Sequence, residues 1–373
     1  MPSPPAGISE NPSNAPVWVL LGHKAGDNEQ VLALAESLGT GFERRDLRYR
    51  ATELASNVLL GPNLLGVRAR HRVGLEPPWP RLVISSGRRN EPVARWIRRQ
   101  ADHPVRLVHV GRPWADPDEF DLIVSTPQYL LGDRPNVVEV GLPLQRHPPA
   151  ADEAAYAAWA DRLAALPRPW IAVLVGGESG MFQLDPDKAD RLARQADELA
   201  GELGGSLLVT TSRRTPAGIA ARLDAALESP HFVYEWQPDA TDNPYRALLA
   251  LADRLIVTGE SMSMLAEACA ARRPVYVFDM HDRGPMSATA RLRWLKDALR
   301  YRAWTHRLAQ VLAPERLRRD VSRLHAALMA EGRAVWLGDE FPDREPPPLP
   351  GHEAVAARVR ALLDTDPDDR NLA

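Results

Sequence analysis

Two turns in the second half of the chain place glycine and hydroxyl residues directly after apolar runs. Ile171 to Val175 leads into Gly176, Gly177, Glu178, Ser179 and Gly180. Leu255 to Val257 leads into Thr258, Gly259, Glu260, Ser261, Met262, Ser263 and Met264, and then into helical spacing. An apolar strand followed by small residues and a helix start gathers free backbone N–H donors at the carboxyl end of the strand. A helix start also carries about half a positive charge, which suits phosphate. Two such turns in one parallel-sheet unit predict a seat for a nucleotide or another phosphorylated ligand.

Each residue also has a plainer reading. Ser261 sits where a helix N-cap belongs, and capping alone would explain it. Capping explains less well why Thr258, Gly259, Ser261 and Ser263 cluster, and Glu267, two turns on, is placed to reach back toward a ligand hydroxyl. Gly176 and Gly177 are adjacent, so the turn is neither the Gly-x-Gly-x-x-Gly fingerprint nor a P-loop; a tight turn is its alternative. Thr210, Thr211, Ser212, Arg213, Arg214 and Thr215 end another apolar run, and hydroxyls beside paired arginines suit an anion or a solvated loop.

The first half offers polar loops of its own. Gly22 to Gln30 follows an apolar run and includes His23, Gly26 and Asp27; His23 or Asp27 is the candidate general base, with helix capping by Asp27 or Asn28 as the alternative. Gly87, Arg88 and Arg89 follow another run and suit a charged acceptor. Gln128 and Tyr129 follow a third. No metal site is expected. The three Asp-Pro-Asp triplets, from Asp116, Asp185 and Asp366, read as turns or helix starts. The stretch Asp279, Met280, His281, Asp282 is the best metal candidate and a weak one. No Gly-x-Ser-x-Gly elbow appears.

These residues must be held by elements whose periods are readable. Apolar runs at 17–21, 81–85, 105–110, 121–125 and 137–140 alternate with helical spacing at 29–38 and 90–100. The pattern restarts with strands at 170–175, 206–211, 231–235, 254–257 and 275–278, separated by helices at 188–203, 217–227, 244–251 and 261–271. Such alternation predicts parallel sheets, and the second set predicts a doubly wound unit of five strands. Asp185 and Pro186 read as the start of the helix that follows. The expected organisation is a disordered leader (1–16), an acceptor-side domain (17–150), a linker helix (151–169), a nucleotide-sugar domain (170–330) and an extension returning toward the first domain (331–373). Two such α/β halves imply a cleft lined by the loops of both.

The 373 residues suffice for two cores, and 45% hydrophobic with 25% charged residues fits a globular chain. A net charge of −3 carries no global nucleic-acid footprint. The one cysteine, Cys269, reads as buried. Neither a signal peptide nor a run of about 20 apolar residues is present, so cytoplasmic residence is expected. The basic stretch from Arg291 to Arg307, with Trp294 and Trp304, is compatible with peripheral contact with anionic lipid; packing between the halves is the reading preferred.

The ordered set of motifs resembles a known family. Trp18 to Leu21 with Gly26 and Gln30, Ile84 to Arg89, Phe120 to Ile123 with Thr126 to Tyr129, and Pro135 to Val137 resemble the bacterial members of the elongated-mitochondria family, named for a plant mitochondrial fission factor. Val175 to Gly177 and Thr258 to Met264 fit the same family, and the likeness runs over about residues 17–340. It implies a GT-B-like pair of Rossmann-like domains, with a nucleotide diphosphate-sugar in the second and a hydroxyl acceptor in the first. Carried over, Gly176, Gly177, Ser179, Thr258, Gly259, Ser261, Ser263 and Glu267 belong to the donor site, with Arg213 or Arg214 on the diphosphate; Thr211, Glu260 and Met262 lie in the same turns. Gly26, Gln30, Gly87, Arg88, Arg89, Gln128 and Tyr129 fall on the acceptor side. The expected activity is sugar transfer without cofactor or metal, to a cell-envelope lipid or polysaccharide. A non-catalytic adaptor of the same fold and a 2-epimerase-like enzyme are the rivals. No nucleic-acid partner is expected.

Overall fold

Valine-, isoleucine- and leucine-rich runs bounded by turn residues form fully buried strands, as parallel sheets covered on both faces require. The computed structural model describes residues 16–50, 61–146, 153–179, 182–238, 240–281, 319–345, 347 and 352–364. The expected leader at 1–15 and the basic stretch 291–307 lie outside these residues, as do Gly180, Asp282 and the triplet at Asp366. The chain divides into two compact units. The first comprises 1–147, 315–320 and 350–373, the second 148–314 and 321–349.

The first unit holds β1 (Val17–Leu21), α1 (Ala25–Ser37), β2 (Phe42–Asp46), β3 (Leu82–Ser86), α2 (Glu91–Gln100), β4 (Arg106–Val110), β5 (Leu122–Ser125) and β6 (Val137–Glu139). Its six parallel strands run in the order β2-β1-β3-β4-β5-β6. Alternate residues face opposite sides. Val17, Val19, Ile84, Val108 and Val124 pack with Val31 and Leu34 of α1. Trp18, Leu20, Val83, Leu107 and Ile123 pack with Val93 and Ile97 of α2.

The second unit holds α3 (Glu153–Leu163), β7 (Trp170–Val175), α4 (Pro186–Leu203), β8 (Ser206–Thr211), α5 (Ile219–Ala226), β9 (His231–Tyr234), α6 (Tyr245–Leu251), β10 (Arg254–Thr258), α7 (Met262–Ala270), β11 (Val275–Phe278), α8 (Val321–Ala330) and β12 (Val335–Trp336). Its sheet is six-stranded, in the order β12-β11-β10-β7-β8-β9 and parallel throughout. Read from β7, this is the doubly wound order in which the first and fourth strands are neighbours. α4 begins as the residues require, Asp185 accepting from the Lys188 N–H at 2.9 Å with Pro186 next. A last helix, α9 (Glu353–Asp364), lies in the first unit, where Val355, Ala356 and Val359 join the core over α1.

Four expectations need correction. The second sheet has a sixth strand, β12, too short to leave a pattern. β2, Phe42–Asp46, was not expected, because an edge strand with charged, partly exposed residues carries no apolar run. α1 starts at Ala25 rather than Glu29. Neither Asp27 nor Asn28 caps it: the N-cap position is Lys24, without a side-chain bond, and Asn28 Oδ1 instead accepts from the Gly22 N–H at 2.8 Å. No helix of the described residues is long and apolar enough to cross a membrane.

A buried polar seam ties β3, β4 and α2. Ser85 Oγ lies 3.1 Å from His109 Nδ1, and His109 Nε2 lies 3.9 Å from Glu91 Oε1. All three are fully buried, so this serine–histidine–carboxyl line is closed to substrate. Glu91 accepts from the Trp114 N–H and, at 2.9 Å, from that of Ala115, fixing the loop after β4. Burial pushes the His109 ring down to about 3 and the Glu91 carboxyl up to about 7, against the pull of those two N–H groups and of Arg95 and Arg112.

The two shifts act oppositely on stability. The lowered His109 value contributes stability that is complete above 6.5 and is lost as pH falls toward 3. The raised Glu91 value contributes stability that is complete below 4.5 and is lost as pH rises through 7. Between 4.5 and 6.5 the slopes cancel, each being about 1.4 kcal/mol per pH unit at full strength. Glu91→Gln therefore leaves the histidine slope alone. Urea unfolding of the variant should show stability rising from pH 4.5 to 6.5 relative to the parent chain; parallel profiles would contradict this balance.

Candidate functional site

In the second unit β7 and β10 pair directly, with Val257 opposite Leu174, so their carboxyl-end turns lie side by side where the strand order reverses. The turns are joined by side chains. The Gly176 N–H donates to Thr258 Oγ1 at 2.8 Å, and the Gly177 N–H donates to Glu260 Oε1 at 2.6 Å. The donors that the sequence left free are thus taken by the neighbouring turn. This also explains the paired glycines. A Cβ on Gly176 would lie 1.9 Å from Glu260 Oε1, and one on Gly177, at φ +152°, would lie 2.1 Å from the Arg214 carbonyl oxygen.

Glu260 is 1% exposed, and its Oε2 has no hydrogen-bond partner. Burial raises its carboxyl above the ordinary range, while the Gly177 N–H and Arg214, at 3.9 Å, pull the other way. An unpaired buried carboxylate oxygen is costly, and this cost is what raises the carboxyl.

The loop after β8 is stitched to the same place. Ser212 Oγ donates to the Gly176 carbonyl at 2.6 Å, as does Thr215 Oγ1, and the Glu178 N–H donates to the Arg214 carbonyl at 3.1 Å. Arg214 donates through Nη2 to Ser261 Oγ at 2.9 Å, with its side chain 37% exposed. Arg213 is exposed and joins none of these bonds. Thr211 Oγ1 accepts from the Trp236 N–H at 2.8 Å, which gives that hydroxyl a structural partner.

Ser261 occupies the N-cap position of α7 but makes no capping bond, because its hydroxyl is turned to Arg214. The N–H groups of Met262, Ser263 and Met264 find no acceptor among the described residues. Ser263 is half-buried in that first turn. Glu267 accepts from the Tyr245 hydroxyl, whose titration burial and the Glu267 charge drive well above its ordinary 10. Gly259 is held from below: its N–H donates to the Phe278 carbonyl at 2.9 Å, and its carbonyl accepts from His325 Nε2 at 2.7 Å. His325 is buried edge-on against Trp336. It comes from α8, 66 residues onward, and no local motif marks it. Ser179 faces Phe182 across a short antiparallel bridge.

The first unit gathers a different set. Gly26 and Gln30 meet as a helix-internal pair, Gln30 Nε2 donating to the Gly26 carbonyl at 3.3 Å. Asp27 pairs with Lys24 at 3.7 Å on the surface and lies against Gly87, whose Cβ would fall 2.9 Å from Asp27 Oδ2 at φ +75°. His23 is exposed. Asn90 donates to the carbonyls of Leu20 and Ser86 and joins the carboxyl ends of β1 and β3. Arg88 lies over Trp114 at 5.4 Å, and Arg89 over Tyr49 at 5.8 Å. Arg112, not foreseen, lies between Trp114 (5.9 Å) and Tyr129 (5.5 Å). Gln128 is buried, donating to Thr126 and accepting from Arg319 Nε at 2.8 Å. Among the described residues no group of three or more histidine, cysteine, aspartate or glutamate side chains is placed to hold a metal. The pair Asp279 and His281 meets at 2.9 Å.

The chain matches the family described as Mitochondrial fission ELM1 over residues 25–320, and it belongs to that family. The Mitochondrial fission protein ELM1 of Arabidopsis thaliana is 29% identical over 243 aligned positions, a match that covers 59% of this chain. The chain spans only 56% of the length of that relative. A glycosyltransferase from Rickettsia africae ESF-5 is similar in structure, at 9% identity and a TM-score of 0.47, over 94% of this chain and 99% of that one. So is UDP-N-acetylglucosamine 2-epimerase from Rickettsia bellii, at 10% identity and a TM-score of 0.48, over 96% and 98%.

The close approaches at the paired glycines set a stability test. Gly176→Ala and Gly177→Ala should each lower the unfolding free energy by about 2–3 kcal/mol. Gly201→Ala, inside α4 with nothing within 4 Å, should raise it by about 0.5–1 kcal/mol. Urea titrations that rank the three variants otherwise would refute the packing described for this turn.

Proposed function

We propose that the second unit binds a nucleoside diphosphate-sugar at the start of α7 and that the protein transfers the sugar to a hydroxyl acceptor. The observation that carries this reading is the adjacency of the β7 and β10 turns at the point where the strand order reverses. The half-exposed Arg214 meets the Ser261 hydroxyl there, at the start of α7, whose first turn also carries Ser263. Charge-assisted contacts of this kind contribute about 1.5–3 kcal/mol each. Together they would hold a diphosphate and stabilise it as a leaving group. The family resemblance supplies the sugar. His23 and Asp27 are the base candidates of the first unit, and Gly87, Arg88, Arg89, Gln128 and Tyr129 its acceptor-side candidates.

Glu260 makes this site sensitive to protons. A charged carboxylate beside a bound diphosphate repels it; a neutral one does not. Burial raises its carboxyl, so its neutral form persists to higher pH than that of an exposed carboxylate.

A second reading has its own support. The Gly176 and Gly177 N–H groups are already satisfied within the chain, as a module that keeps the fold and binds no nucleotide would have them. Attachment of a partner protein would then be the function.

A thermal-shift panel with UDP, GDP, CMP and TDP, each with and without magnesium, separates the two. Ligand at about a hundred times its dissociation constant adds about 2.7 kcal/mol, so one nucleotide should raise the melting temperature clearly. Silence across the panel favours the binding module. Replacing Ser261 and Ser263 together by alanine should erase the rise, and Arg214→Gln should weaken binding about tenfold, the loss of one charged contact. For the nucleotide that binds, affinity measured by calorimetry should fall as pH rises through the Glu260 titration, and Glu260→Gln should flatten that dependence. A slope unchanged in the variant would remove Glu260 from the site.

A further inference from the structure

On the first unit two arginine-rich runs are hydrogen-bonded side by side. The Arg50 N–H donates to the Gly66 carbonyl at 3.0 Å, the Arg68 N–H donates to the Arg48 carbonyl at 2.9 Å, and Tyr49 faces Val67 in an antiparallel bridge. Val67 is buried in the core with Leu47 and Trp18, and Tyr49 packs against that core. Alternate residues of an extended pair face opposite sides, so Arg48, Arg50 and Arg68 stand together on the outer face, and all three are exposed. Arg44 and Arg70 are exposed as well.

Two of the guanidinium groups are held by backbone carbonyls. Arg68 Nε donates to the Tyr49 carbonyl at 3.2 Å and Arg72 Nε to the Val67 carbonyl at 3.1 Å. Of the arginines on these runs, Arg45 is the one in an ion pair among the described residues, with Glu43, and it stacks on Trp18 at 4.0 Å. The chain as a whole is slightly acidic, at −3, so this concentration of positive charge is local.

The chain on either side of the second run carries bare apolar side chains. Leu65 is 58% exposed and Val73 is 78% exposed; they are the large hydrophobic residues that stand open to solvent among the described residues. They bracket the run from Arg68 to Arg72.

We propose that this ribbon is a membrane-docking surface for anionic lipid, with the arginines on headgroup phosphates and Leu65 and Val73 entering the acyl boundary. Positive charge alone would suit any polyanion. The exposed leucine and valine favour a bilayer, because an interface of phosphate headgroups over an acyl boundary accommodates basic and bare aliphatic side chains side by side. The surface is independent of the nucleotide reading and of the stretch 291–307.

Co-sedimentation of the full chain with vesicles tests it. Vesicles with 30% phosphatidylglycerol should bind the chain at least tenfold more tightly than pure phosphatidylcholine, and the preference should shrink in 0.5 M salt. Arg48→Glu with Arg68→Glu should lower the partition at least tenfold. Leu65→Ser with Val73→Ser should lower it severalfold while leaving its salt dependence intact. All four positions are exposed or half-exposed, and an unchanged melting curve shows that each variant folds. Equal binding to both vesicle types, or full binding by the arginine variant, would overturn the proposal. So would a leucine–valine variant that binds like the parent chain, or binding of duplex DNA in preference to anionic vesicles.

Discussion

The bond from the Gly177 N–H to the Glu260 carboxyl is the constraint on which the second unit's candidate site depends. It pulls the turn after β7 against the turn after β10, and it does so with a side chain that is buried and half-satisfied. Much else follows from it. No residue but glycine fits at 176 or 177, because a Cβ at either meets Glu260 or the Arg214 backbone. Arg214 is left to reach over to Ser261, and Ser261, so engaged, leaves the start of α7 without its side-chain cap. The uncapped donors are therefore a by-product of how the turns are tied. Helix starts with unsatisfied N–H groups attract anions.

The first unit solves the same geometric problem with a neutral group. There the ends of β1 and β3 are joined by Asn90, which donates to Leu20 and Ser86 and accepts from the Tyr49 hydroxyl. An amide has both donors and acceptors and carries no charge at any pH. A carboxyl in the equivalent role adds a titration to the fold. The two sheets thus share a plan, with a polar side chain closing the gap between neighbouring strand ends, and differ in whether that closure responds to protons.

The strands were legible because parallel sheets bury both faces, and burial demands continuous apolar runs such as Ile171 to Val175. Where a strand lies at an edge the demand lapses, which is why Phe42–Asp46, with three of its five residues partly buried and two exposed, carries no apolar signal. The residue types of the site were also legible, since Gly176, Gly177, Thr258, Glu260, Ser261 and Arg214 stand in turns that follow strands. Their partners were not. Whether a backbone N–H is free or filled depends on a side chain more than 80 residues away, as in the Gly177–Glu260 pair. His325, His109 and Arg112 escaped for the same reason: each is defined by contacts from distant segments, and none sits in a local motif.

The last helix has a consequence for how the molecule is made. Val355, Ala356, Val359 and Leu363 fill the apolar layer over α1, yet they follow the rest of that layer by some 200 residues of chain, most of which belongs to the other unit. A nascent chain emerging from the ribosome can assemble the sheet of the first unit early but has nothing to cover that layer until translation reaches α9. For that interval greasy surface stands open, and the opportunity for chaperone capture is built into the order of synthesis.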